Sequence, residues 1–146
     1  MEDKIINLIK SNKIVEAKIY ILKKFFTNKK KYCYYMGLCY CAEKKFNDAI
    51  KYFEKAKRFG LEHYLVYYNL GTAYIEINDF YKAKINLLKS IELNKDYYNS
   101  YLNLAYIYIK ENDLQSAYRI IKSVSCMINE PQLIKIEENI YKELIK

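Results

Sequence analysis

Few side chains in this sequence are placed to do chemistry together. Cys39 and Cys41 form a Cys-x-Cys pair that could start a thiolate metal site, but no zinc-type CxxC pair accompanies them. At a spacing of two on a helix they point to different sides, so Cys39 is expected in a core and Cys41 on a surface lining. The sole histidine, His63, falls in a connection between helices, and there is no glycine-rich phosphate loop, nucleophile elbow or helical HExxH. Glu137 and Glu138 lie on a charged helical face, where water is the expected neighbour. No catalytic residue, cofactor or metal ligand is expected, and the sequence reads as a non-enzyme.

Charge offers a different chemistry. Residues 1–63 carry 15 Lys plus Arg against 7 Asp plus Glu, whereas 64–146 carry 10 against 10, so the net charge of +8 lies in the N-terminal half. Lys23, Lys24, Lys29, Lys30 and Lys31 crowd the end of one helix and the start of the next. Such a patch could hold an acidic protein segment, a phosphate backbone or an anionic membrane surface. A solvated surface explains it equally, because a helix C-terminus favours lysines. Only two arginines occur, Arg58 and Arg119, which disfavours nucleic acid, a class that relies on arginine for phosphate contacts. Binding of nucleic acid or another anionic surface is therefore the alternative reading.

The elements that position these groups are helices. The 146 residues are 52% hydrophobic and 16% aromatic, with 3 glycines and 1 proline, which suits one ordered all-α domain and leaves little for turn-rich β structure. No apolar run reaches the roughly 18 residues of a membrane span, and the opening MEDKIINLIKS mixes both charges, unlike a signal peptide. Together with four cysteines read as reduced thiols, this predicts a cytoplasmic protein.

A repeat organises the helices. Gly37, Gly71 and Ala105 stand 34 residues apart, as do Tyr40, Tyr74 and Tyr108, and Ala49, Ala83 and Ala117. In each copy a first stripe runs at i, i+3, i+4 and i+7: Cys33 to Tyr40, Tyr67 to Tyr74, Tyr101 to Tyr108. A second stripe follows: Phe46, Ala49, Phe53 and Ala56; Phe80, Ala83, Leu87 and Ser90; Leu114, Ala117, Ile121 and Val124. The small residue in each first stripe lets a neighbouring helix approach closely. Asp79 and Asp113 are placed to cap the second helices, whereas Lys45 cannot, so the first connection should be the least well capped.

In this register the chain resembles the tetratricopeptide repeat family, most clearly in YLVYYNLGTAYIEINDFYKAKINLLKSIELNKDY, 64–97. The resemblance rests on Tyr67 in the usual aromatic place, Asn69-Leu70-Gly71, Ala73, Tyr74, Asp79, Ala83 and Leu93, and extends to 30–63 and 98–131. Lys95 stands where a proline is usual, Ala105 replaces the glycine, and Cys33 replaces the large aromatic. Residues 1–29 look like a degenerate hairpin, with Ile5, Leu8 and Ile9 followed by Ile14, Ala17, Ile21 and Phe25. Beyond Pro131 a different stripe, Leu133, Ile136, Ile140 and Leu144, suits a C-terminal capping helix over 132–146. The resemblance implies a single domain over 1–146, an α-solenoid in which about nine helices form a right-handed superhelical stack of antiparallel pairs.

Family members build their inner face from first-helix residues flanking the packing stripe. Here those are Tyr34, Tyr35, Leu38 and Cys41, then Leu65, Tyr68, Asn69, Thr72 and Ile75, then Leu102, Asn103, Tyr106 and Ile109. Lys31, Glu76 and Lys110 are the main charges there. Aromatics and two asparagine amides suit a peptide segment or helix of a partner protein, which makes an adaptor the leading expectation. The resemblance supports Asn69 and Asn103 in that role. Places that clamp a chaperone's C-terminal carboxylate in some members hold Tyr34, Leu38, Asn69, Asn99 and Asn103, without a cation, so that mode is not expected. Self-association and a secretion-type chaperone role are further readings.

Overall fold

The computed structural model describes residues 2–146, and within them the chain runs through nine α-helices and no strand. They are α1 (Glu2–Lys10), α2 (Ile14–Phe25), α3 (Lys29–Ala42), α4 (Phe46–Arg58), α5 (Tyr64–Glu76), α6 (Phe80–Leu93), α7 (Tyr98–Lys110), α8 (Leu114–Ser125) and α9 (Pro131–Leu144). Helices pair as α1/α2, α3/α4, α5/α6 and α7/α8, each pair stacking on the next.

The turn inside each pair has one chemistry. The first helix ends on a left-handed residue, Asn12, Lys44, Asn78 or Asn112, with φ of 58°, 58°, 60° and 61°. The following amide then reaches back to a carbonyl of the last turn: Lys13 N to Leu8 O, Lys45 N to Tyr40 O, Asp79 N to Tyr74 O and Asp113 N to Tyr108 O. This closure satisfies carbonyls that the helix end leaves free. Asparagine adopts the left-handed region readily, while a lysine there is strained. The next helix starts at once, with Asp79 Oδ1 accepting from Lys82 N at 3.1 Å and Asp113 Oδ1 accepting from Ser116 N at 3.0 Å. Lys45 makes no capping hydrogen bond, as its residue type demands, and neither does Lys13.

Close approach within each pair depends on the small residue of the first stripe. A Cβ added to Gly37 would come 2.5 Å from Phe53 Cε1, and one added to Gly71 would come 2.6 Å from Leu87 Cγ. Phe53 and Leu87 are both fully buried, so neither can swing into water. In the third pair Ala105 packs in one cluster with Ile121. Phe53, Leu70, Leu87 and Leu104 form a core that crosses pair boundaries, each such burial stabilising the fold by about 1.5–3 kcal/mol. One polar link joins α5, α6 and α7: buried Ser90 Oγ donates to Tyr64 O at 3.0 Å and lies 2.9 Å from Ser100 Oγ.

Neighbouring first helices touch, α1 with α3, α3 with α5 and α5 with α7, whereas successive second helices do not. The stack therefore bends toward its first helices and makes that side concave. Leu133 and Ile140 of α9 are buried at the end of the stack, while Lys135, Glu138, Asn139 and Lys142 face water. α9 packs along α8 and does not cross α3 or α5. Among the described residues, no helix is long and apolar enough to span a membrane.

Candidate functional site

The inward flanks of α3, α5 and α7 carry most residues expected to line a groove. Their exposure rises toward the C-terminal end: Tyr34, Leu38, Leu65, Tyr68, Asn69, Thr72, Ile75, Leu102 and Asn103 are half-buried, and Tyr106 and Ile109 are 44% and 39% exposed. Tyr35 differs. Its ring stacks on Phe25 at 5.3 Å and is 5% exposed, so it packs mainly in the core between α2 and α3 and reaches the face only as part of the wall of a cavity at its N-terminal end. The reason is local, because the N-terminal hairpin occupies the side of α3 that Tyr35 faces.

Both asparagine amides already have partners in the preceding repeat. Asn69 Nδ2 donates to the Tyr34 hydroxyl at 3.3 Å, and Asn103 Nδ2 donates to Thr72 Oγ1 at 2.9 Å. Thr72 Oγ1 in turn donates to Tyr68 O at 3.0 Å. Each amide thus joins two first helices and fixes its own rotamer, while Asn69 Oδ1 and Asn103 Oδ1 have no hydrogen-bond donor among the described residues. Those two oxygens can accept from the backbone N–H groups of an extended chain.

The aromatic surface is similarly braced. Tyr97, in the turn before α7, meets Tyr68 edge-on at 5.0 Å and Tyr64 at 5.0 Å. Tyr97 was not among the sequence candidates because it lies outside any helical stripe. Tyr34 packs on Tyr35 and Phe53, with ring centroids at 5.1 and 6.0 Å. Burial pushes the Tyr34 hydroxyl up to about 12, with the Asn69 hydrogen bond drawing the other way, and burial also raises Tyr97. These hydroxyls stay neutral near pH 7, so the face offers apolar area and neutral hydrogen-bonding groups. A cavity of about 350 Å³ opens at its N-terminal end between Glu2 and Ile6 of α1, Tyr34 and Tyr35 of α3, Leu61 before α5 and Leu65 of α5.

Two lysines of the N-terminal cluster, Lys29 and Lys31, have partners within the fold. Lys31 pairs with Glu2 at 3.0 Å, holding the Glu2 carboxyl below its ordinary range, while Lys29 Nζ sits 5.8 Å from the centre of the Phe59 ring. Lys23, Lys24 and Lys30 are exposed. Lys110 Nζ covers Tyr106 at 5.4 Å. Cys39 is fully buried with Ile5 and Ile21, and Cys41 packs on the other side of α3 against the central core. Desolvation pushes their thiols up to about 11 and about 12. His63 caps α5, its Nδ1 accepting from Leu65 N at 3.3 Å, and Glu137 accepts from Ser125 Oγ across α8 and α9.

The comparisons with known proteins agree with this architecture. The tetratricopeptide repeat family matches at 34–59, 64–97 and 98–124, together more than half of the chain. No curated protein matches the sequence. Among solved structures, YrrB, described as a TPR protein with an unusual peptide-binding site, is similar with a TM-score of 0.75 at 20% identity, covering 95% of this chain and 73% of that one. PilF of Pseudomonas aeruginosa is similar with a TM-score of 0.84 at 16% identity over 97% of this chain and 66% of that one. The first TPR of Spaghetti (RPAP3), solved bound to the HSP90 peptide SRMEEVD, gives 0.70 at 18% identity over 81% of this chain and 97% of that one. A 34-residue register, close hairpin crossings at Gly37 and Gly71, capped connections and these matches lead to one identification. The chain belongs to the tetratricopeptide repeat family and is a helical-repeat protein.

Proposed function

We propose that the concave face of α3, α5 and α7 binds a peptide segment or helix of a partner protein, in the manner of an adaptor without catalytic activity. The observation that carries this reading is an uncovered inner face, with Tyr106 and Ile109 substantially exposed beside side chains already locked by Asn69–Tyr34 and Asn103–Thr72 hydrogen bonds. Pre-organised rotamers lower the ordering cost of association, so most of that cost falls on the flexible partner. YrrB and RPAP3, whose descriptions name a peptide-binding site or a bound peptide, support the reading by analogy of fold.

Tyr34, Leu38, Leu65, Tyr68, Asn69, Thr72, Ile75, Leu102, Asn103, Tyr106 and Ile109 make up the proposed lining. With neutral side chains at the places where some members clamp a terminal carboxylate, the preferred ligand is an apolar or aromatic internal segment. Four unpaired cysteines support a cytoplasmic location. A partner captured from the source cell supplies the test. Tyr106→Ala and Tyr68→Ala should each weaken binding by about 1–3 kcal/mol with helicity unchanged. Raising salt should alter the affinity little, whereas phosphate binding would fall steeply. Unchanged affinity in both tyrosine variants would refute the assignment.

A further inference from the structure

The first full repeat differs from the second at one place that the groove does not use. On the α4 side of α3, a cavity of about 480 Å³ is lined by Cys33, Tyr32, Tyr52 and Phe59, with Lys29, Lys55 and Arg58 completing its lining. Thirty-four residues later the corresponding places are filled and neutralised. Tyr67, which replaces Cys33, is 9% exposed and donates its hydroxyl to Glu62 at 3.0 Å. Lys89 and Glu92, in the places of Lys55 and Arg58, pair at 2.8 Å. In the third repeat the ring is Tyr101, 7% exposed. The first repeat, with Asn28 and Arg58 in the places of Glu62 and Glu92, therefore lacks one aromatic ring and two carboxylates that its neighbour supplies internally.

We propose that this cavity receives an aromatic side chain of a partner peptide whose neighbouring residues are acidic, the ring taking the place Tyr67 fills in the next repeat and the carboxylates pairing with Lys29, Lys55 and Arg58. Charge complementarity points to that occupant. The lining holds three cations and no carboxylate, and none of the three takes part in an ion pair among the described residues. Lys55 Nζ lies 5.1 Å from the centre of the Tyr52 ring and Lys29 Nζ 5.8 Å from that of Phe59, which holds the cations beside aromatic walls. Burial raises the Cys33 thiol while Lys55 and Arg58 draw it down, in keeping with a cationic surrounding. Cys33 itself is 4% exposed, so the space above a short side chain, and not the sulfur, is the feature on offer.

The test uses labelled peptides Asp-Glu-X-Asp-Glu with X as Phe, Tyr or Ala, titrated by fluorescence anisotropy against the full chain. Phe and Tyr peptides should bind at least about tenfold more tightly than the Ala peptide. Cys33→Tyr, which supplies the missing ring, should bring the Phe peptide to the level of the Ala peptide. Arg58→Glu should weaken all three, and Tyr106→Ala should change none, which separates this site from the concave groove. Should Cys33→Tyr fail to fold, the Phe-to-Ala ratio and Arg58→Glu still decide. Phe and Ala peptides of equal affinity, Phe binding retained in folded Cys33→Tyr, or binding indifferent to Arg58→Glu would each overturn the proposal.

Discussion

Gly71→Ala isolates the packing rule on which the stack depends. The added Cβ would sit 2.6 Å from Leu87 Cγ, 2.8 Å from Leu87 Cδ2 and 3.3 Å from Ala83 O. Two effects oppose each other. Replacing glycine inside a helix gains about 1 kcal/mol in propensity, and forcing a methyl into a full contact costs about 1–3 kcal/mol. Leu87 is fully buried and Ala83 O is backbone, so the clash should win, leaving a net loss of up to about 2 kcal/mol. The sign should reverse once Leu87 is shortened. Leu87→Ala alone costs about 2–5 kcal/mol, and Gly71→Ala added to it is freed of both Leu87 contacts, retains only the 3.3 Å approach to Ala83 O, and keeps most of the propensity gain of about 1 kcal/mol. Urea unfolding of the four chains, followed by far-UV circular dichroism, gives the coupling, expected at about 1–3 kcal/mol. An effect of Gly71→Ala that is equal in both backgrounds would refute the close-crossing argument.

Gly71→Leu should lower the melting temperature steeply or prevent folding, read by a thermal melt, because its branched end has no room beside Leu87. Lys44→Gly should stabilise by about 0.5–1 kcal/mol in urea unfolding, since Lys44 alone among the four left-handed turn residues is not asparagine. At alkaline pH the raised tyrosines matter: with Tyr34 at about 12 when folded, stability is fully present below about pH 10, the unfolded value, and falls as pH climbs toward 12. A tyrosinate absorbance titration should show a late-ionising set that appears as helicity is lost; complete ionisation near pH 10 with helices intact would contradict this. At acidic pH the direction reverses for Glu43, whose carboxyl the Lys18 hydrogen bond at 2.7 Å holds below its ordinary range. Lys18→Met should therefore flatten the loss of stability seen as pH falls through the carboxylate range.

Helix positions were legible because a 34-residue register and an i, i+3, i+4, i+7 stripe coincide, and only residues with a steric or capping duty hold such a register. Gly71 beside Leu87 and Asp79 over Lys82 N are cases where one residue type has one physical use. The groove was less legible, because its side chains answer to neighbours outside their own repeat. Tyr35 is buried by a hairpin that follows the register only loosely, and the amides of Asn69 and Asn103 donate to residues 35 and 31 positions earlier. Cys33 stood out as a departure in the sequence, but the cavity it leaves depends on Tyr52, Lys55 and Arg58 from the next helix.

Photo-crosslinking from two positions tests most directly whether the concave side is the docking side. A photoreactive phenylalanine replaces either Tyr106, on the first-helix face, or Tyr81, 74% exposed on α6. Irradiation in the source cell should give a discrete adduct from position 106 and none from position 81. A discrete adduct from position 81, with position 106 silent, would contradict the assignment of the inner face.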